Sequence, residues 1–256
     1  MKNRIGTIAQ YAVLEALRTR LPLLTAVVIG GLLAASFFVR EISITESGRI
    51  QTAFYAATIR FATVFLVALH VISSVSRELQ DKGLDMVLAL DLPRAHYLLG
   101  KLAGFSAIAA ALALAVAMPL LPLAGWEAVA QWTLSLAAEL AVVVALSLFC
   151  VITFNQLMPA ASFVLAFYVL ARAIGAIRLI SGNPVAGGEL LSHQVMTWLI
   201  EALALIVPGF DLWTRTEWLV GGAVPWTTLG GIVAQAAIFV ILLAAAAVFD
   251  LYRKNF

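Results

Sequence analysis

The chain has 256 residues, of which 63% are hydrophobic and only 12% charged, with a formal net charge of +2. Soluble domains run near half apolar and a quarter charged, so this composition excludes an ordinary globular domain. So small a net charge also gives no reason to expect nucleic acid as a partner. Apolar stretches near twenty residues long recur throughout, which predicts an all-α polytopic membrane protein. The short alternating segments of a β-barrel are not seen. The single cysteine, Cys150, lies in an apolar run and reads as a small buried hydrophobe, with no disulfide framework or thiolate metal site to build.

In chain order, residues 1–20 carry Ile5, Ile8, Tyr11, Ala12, Leu14 and Leu17 among Lys2, Arg4, Glu15, Arg18 and Arg20. Apolar positions every three to four residues predict an amphipathic helix lying in the membrane interface. The charges before the first apolar run argue against a secretory signal peptide. Six spans follow: Leu21–Val39, Ala53–Val75, Tyr97–Ala124, Trp132–Phe154, Ala160–Ile180 and Thr227–Phe249. Residues 40–52 form a short polar loop, and Asn155 to Pro159 a tight turn. The connection 181–226 is long and rich in Gly and Pro (Gly182, Pro184, Gly187, Gly188, Pro208, Gly209, Pro225). Within it, Met196–Val207 is apolar but would cover only about 18 Å as a helix. That falls short of a hydrocarbon core of ~30 Å, so it reads as a re-entrant or interfacial helix.

An even number of spans puts both termini on one side. The termini and the 76–101 segment hold ten basic residues (Lys2, Arg4, Arg18, Arg20, Arg77, Lys82, Arg94, Lys101, Arg253, Lys254), against four opposite (Arg40, Arg49, Arg178, Arg215). The positive-inside rule then makes both termini cytosolic. Trp126, Trp132, Trp198, Trp213, Trp218 and Trp226 all fall on the outer side, as an interfacial belt would.

No catalytic signature is present. There is no G-x-x-x-x-G-K-[ST] phosphate loop and no G-x-S-x-G elbow, and His70, His96 and His193 lack any zinc spacing. If the protein uses energy, a partner delivers it. The charged segment between spans two and three is the place to receive it: Leu79, Leu84, Val87, Leu88 and Leu90 or Met86 can form an apolar ridge, with Glu78, Asp81, Lys82 and Asp85 around the rest. Glu78 and Lys82 make a favourable i,i+4 pair, Gly83 weakens the helix, and Pro93 stops it.

Arg77-Glu78, Lys82-Gly83-Leu84-Asp85, Leu88, Leu90, Pro93-Arg94 and Leu99-Gly100-Lys101-Leu102 resemble the signature of type-2 ATP-binding-cassette (ABC) exporter permeases. The chain departs from it by lacking a hydroxyl residue between Gly83 and Leu84, and by carrying Asp91 in place of a small residue. The start ending Glu15-Ala16-Leu17-Arg18-Thr19-Arg20 resembles the family's elbow helix. The stretch Val207 to Trp213, the Arg215/Trp218 segment and the tail Phe249 to Lys254 are similar to the end of these permeases. They look closest to the branch that includes the permease of the nitrous-oxide-reductase copper-maturation transporter.

The resemblance covers essentially the whole chain and implies a single permease domain over 1–256. Residues 1–20 would be the elbow helix, 76–92 the coupling helix, and 181–226 an outer connection with a re-entrant helix. It implies a homodimer in the bacterial cytoplasmic membrane, two ABC ATPase subunits that carry the ATP and Mg, and no cofactor in this chain. Arg77, Glu78, Asp81, Lys82, Gly83, Leu84, Asp85 and Leu88 would dock the ATPase. The chain itself is then a transport subunit and not an enzyme. Rival readings are a haem-exporter-type permease of cytochrome c maturation, a non-transporting component that passes motion to a periplasmic accessory protein, and an intramembrane enzyme, for which the sequence shows no convergent polar cluster.

Ionisable residues inside spans point to function by default. Arg60 and Arg172 lie two or three turns from the outer edge, where a long stem can snorkel. Glu139 snorkels less well and is expected to face protein, paired with Arg60 or Arg172. Tyr168 and Arg172, one turn apart on one face, are with Arg60 and Glu139 the candidate substrate-path residues. His70 reads as a core histidine, and Met118, Met158 and Met196 make no pair for copper.

Overall fold

With no water inside a bilayer, only an internal backbone ladder satisfies the peptide groups of an apolar run, and each run here folds as a helix. The computed structural model describes residues 4–80, 93–182 and 191–253. Its helices are α1 (Arg4–Arg18), α2 (Leu21–Ile42), α3 (Ser47–Gln80), α4 (Arg94–Ala117), α5 (Trp126–Phe154), α6 (Leu157–Gly182), α7 (Leu191–Ile206), α8 (Glu217–Gly221) and α9 (Trp226–Arg253). A 3₁₀ turn, Met118–Leu120, follows α4, and there is no strand among the described residues. Six of the helices are long and apolar enough to cross a membrane, so the chain is an all-helical, membrane-embedded protein.

The helices overrun the predicted spans because polar residues at helix ends still complete backbone ladders. α2 continues through Arg40 and Glu41, closed where the Ser43 amide and hydroxyl both donate to the Val39 carbonyl at 3.2 and 2.8 Å. The expected 40–52 loop is therefore only 43–46, turned by Glu46 at φ +50°. α3 has 34 residues, about 51 Å of helix, well beyond a core of ~30 Å. α5 begins at Trp126 and ends at Asn155, whose left-handed φ of +55° closes the helix in the way asparagine tolerates. The expected short helix before Pro208 is the 16-residue α7, about 24 Å long.

α5 is the core of the bundle. Its apolar window is 72% buried, against 11% for α2 and 17% for α9. Trp132, Leu136, Leu140, Val144 and Leu148 lie inside the packing of α3, α4, α6 and α9. The tryptophans divide accordingly. Trp126, Trp198 and Trp226 are exposed as belt residues should be, but Trp132, Trp213 and Trp218 are buried. Three of the six residues expected in the belt therefore fill protein instead, where a Trp ring buries its large apolar area among side chains.

The N-terminal helix is docked on protein rather than held by an interface alone. α1 lies directly on α4, across Gly100 and Gly104. A Cβ at Gly100 would fall 2.7 Å from Ile8 Cβ, and one at Gly104 would fall 2.8 Å from both Ala12 Cβ and the Ala9 carbonyl. Glycines four apart let two helix backbones approach this closely. The apolar face expected for this helix splits, with Ala12 buried toward α4 while Tyr11, Leu14 and Leu17 point outward. Gly104→Leu is therefore expected to destabilise the protein by about 1–3 kcal/mol, the usual range for overpacking. A lowered melting temperature in detergent, with α1 more open to protease, is the expected result; unchanged values of both would contradict the contact.

Candidate functional site

Two charged clusters stand apart along the bundle, one at the end of α3 and one near the middle of α5 and α6. The first surrounds the segment that the sequence singles out. Arg77 and Glu78 lie in the last turn of α3, Glu15 on α1, and Tyr97 and Lys101 on α4. The Glu78 carboxylate accepts from the Tyr97 hydroxyl and the Lys101 ammonium. Lys101 also faces Glu15 at 3.8 Å, and Glu15 accepts from the Ser74 hydroxyl at 2.8 Å. Lys101 is only 6% exposed, and a buried ammonium is tolerated because two carboxylates surround it. Arg77 donates to the Ser73 carbonyl and lies 3.6 Å from Glu15. Arg94 donates to the Leu251 carbonyl at 2.7 Å, favourable for a cation at the C-terminus of α9. The described residues on either side of 81–92 are thus tied to α1, α4 and α9. Asp81, Lys82, Gly83, Leu84, Asp85 and Leu88 lie outside the described residues.

The second cluster gathers around the backbone of Thr214. Its amide donates to Ser135 Oγ at 2.9 Å and its hydroxyl to Glu139 Oε2 at 2.6 Å. Its carbonyl accepts from Arg60 at 2.6 Å and from Arg172 at 3.3 Å. Arg172 also donates to the carbonyls of Phe210 and Trp213, the latter at 2.9 Å. Tyr168 donates to Glu139 Oε1 at 2.7 Å, and Arg172 stands 3.8 Å from Glu139 Oε2. Glu139 is fully buried and Arg60 is 5% exposed. Thr214 sits at φ +46°, a region rare for a β-branched residue and costing on the order of 1–3 kcal/mol. The bonds around it hold it there.

All four candidate path residues, Arg60, Glu139, Tyr168 and Arg172, therefore meet at one place. The pairing expected of Glu139 is made with Arg172. The snorkelling expected of Arg60 and Arg172 does not occur: both guanidiniums turn inward, where loop carbonyls solvate them better than a rim of headgroups. The aromatic rings of Phe61, Tyr168, Phe210 and Trp213 pack in contact beside them, with centroids 5.1–5.7 Å apart. Trp213 Nε1 further donates to Gln235 of α9 at 3.2 Å. His70 is half-buried with its ring edge-on to Phe105, and its Nε2 has no hydrogen-bond partner among the described residues.

Sequence reasoning missed Ser135, Thr214 and Gln131. Gln131 bonds Val224 in both directions, donating to its carbonyl at 2.7 Å and accepting from its amide at 2.9 Å. Gln131, Ser135 and Glu139 recur every four residues along α5, a polar stripe on an otherwise apolar helix that marks this face. Among the described residues no group of His, Cys, Asp or Glu could hold a metal ion. A comparison with protein-family models and one with curated proteins each find no match to the chain.

Replacing Glu139 by Leu leaves the buried Arg60 and the half-buried Arg172 guanidiniums with no counter-charge, at an expected cost of roughly 3–5 kcal/mol. Tyr168→Phe removes one hydrogen bond to a carboxylate, an expected loss of about 1.5–3 kcal/mol. Thermal unfolding in detergent checks the order: Glu139→Leu below Tyr168→Phe below wild type. A Glu139→Leu variant as stable as wild type would sink this account of the network.

Proposed function

We propose that this chain is the membrane-spanning permease subunit of an ABC exporter, acting as a dimer with two separate ATPase subunits. The ATPases hold the ATP and Mg, and the permease sits in a bacterial cytoplasmic membrane with both termini in the cytosol. The observation that carries the reading is the pairing of Glu78 with Tyr97 and Lys101 on either side of the 81–92 segment. A surface helix with no partner needs no such anchorage. A helix that receives force does, because a lever with loose ends transmits nothing.

The mechanism follows from the anchors. ATP-driven closure of the ATPases pushes the coupling segment, whose first residues, 76–80, are the end of α3 and not the start of a separate helix. Glu78 and Lys101 pass that push to α3 and α4, and Glu15 passes it to α1, which is already seated on Gly100 and Gly104. α3 carries the displacement to Arg60, in the half of the helix away from Glu78, and to the Thr214 backbone that Arg60 holds. Arg60, Glu139, Tyr168 and Arg172 then form the outer wall of the substrate path, with donors committed to the 210–214 backbone while the wall is closed.

The test is co-purification in detergent with the ABC ATPase encoded beside this chain. Stoichiometric capture is expected from wild type, and its loss when Leu84, Asp85 and Leu88 are changed to lysine. Capture that survives those changes moves the docking site elsewhere, and an absence of any captured ATPase removes the exporter reading. Substrate-stimulated ATPase activity of the reconstituted complex separates transport from the passing of motion to a periplasmic protein.

A further inference from the structure

A cavity of about 680 Å³ opens between α6, α7 and the 209–215 stretch. Its depth in the membrane follows from α6. That helix starts at Leu157, after the turn at Asn155, and this turn lies at the termini end, where Thr153 donates to Asp250 at 2.6 Å. Gly175 and Arg178 are 18 and 21 residues further on, about 27 and 32 Å of helix. They stand at the far edge of a hydrocarbon core of ~30 Å, at the depth of headgroups. The exposed Trp198 of α7 fits the same level. So does the exposed apolar face of α7 beside the cavity, formed by Val195, Met196, Leu199 and Leu203.

The lining carries both signs of charge: Asp211 and Glu201 with Arg178, Arg215 and Arg172, the last already committed to the carbonyls of Phe210 and Trp213. Asp211 reaches over α6 only because residue 175 is glycine, since a Cβ there would fall 2.1 Å from Asp211 Oδ2. Among the described residues neither the Asp211 nor the Glu201 carboxylate has a hydrogen bond or ion pair. Arg215 donates to the Asp211 carbonyl at 3.4 Å and lies 3.6 Å from the exposed Glu217, a pair that solvent screens. Two solvent-accessible carboxylates with no protein partner among the described residues, set beside guanidiniums, suit a ligand that itself carries both charges. A primary ammonium offers three donors to carboxylates, and a phosphate accepts from guanidinium. A purely anionic headgroup would leave the carboxylates opposing it.

We propose that this cavity seats the zwitterionic phosphoethanolamine headgroup of a membrane lipid. The ammonium lies on Asp211 and Glu201, and the phosphate on Arg215 and Arg178. The proposal depends on the membrane placement of α6 and is independent of the exporter reading.

Native mass spectrometry of the full chain, released from mixed micelles of phosphatidylethanolamine and phosphatidylglycerol, tests it. Wild type is expected to retain the ethanolamine lipid about ten-fold over the glycerol lipid, the size of one charge-assisted contact. The double variant Asp211→Asn, Glu201→Gln should lose that preference while keeping its melting temperature, because those carboxylates serve no internal bond. Gly175→Ala, which displaces Asp211, should act in the same direction, and Glu41→Gln at an exposed remote position should change nothing. Equal retention of the two lipids by wild type overturns the proposal, as does a preference that survives the double variant. Displacement of the lipid by soluble glycerophosphoethanolamine at equal concentration overturns the assignment to a membrane lipid.

Discussion

The rest of the structure depends on how two guanidiniums and one carboxylate are buried within an apolar bundle. Arg60 and Arg172 exceed Glu139 by one positive charge, and among the described residues no second acid bonds or pairs with them. A buried excess charge is tolerated only where dipoles replace water. The protein supplies those dipoles by bringing a loop inside: the carbonyls of Phe210, Trp213 and Thr214 all turn toward the arginines. This requirement explains several features at once. It puts Thr214 into a left-handed conformation and makes Val207, Phe210, Trp213 and Thr214 part of the core, while Leu212 between them stays exposed.

The other cluster solves a related problem with side chains instead of backbone. Lys101 is buried between Glu15 and Glu78, so its charge is matched by acids from two different helices. Such a cluster binds α1, α3 and α4 together where the 81–92 segment departs. α3 spans both clusters, carrying Glu78 near one end and Arg60 toward the other. In the proposed exporter this places the receiver of ATP-driven force and the outer wall of the path on one continuous helix, with α5 as the packed axis beside it.

Much of this was legible in the sequence because burial in a bilayer leaves few options. The all-α class, the number of spans and the residues Arg60, Glu139, Tyr168 and Arg172 follow from runs of apolar residues and from the rarity of charge within them. The contacts of those four residues did not follow. Periodicity says that Arg172 lies on a helix face, but not that a loop some forty residues away folds back to meet it. Snorkelling was the simpler expectation, and it failed because a carbonyl-lined pocket offers fixed acceptors that headgroups do not. The α1–α4 contact was in plain view as Gly100 and Gly104, four residues apart in an apolar helix. The helical ends were misjudged wherever a polar residue, such as Arg40 or Glu41, continues a ladder it does not bury.

The most direct test of the account is hydrogen exchange of the 207–216 backbone in the lipid-reconstituted protein. The Leu212, Trp213 and Thr214 amides donate to Gly209, Phe210 and Ser135 respectively, and Trp213 and Thr214 are buried. Exchange at Trp213 and Thr214 as slow as within α5 is the result the account predicts. Exchange as fast as in the 43–46 loop would contradict it, since the arginines would then have no fixed carbonyls to meet.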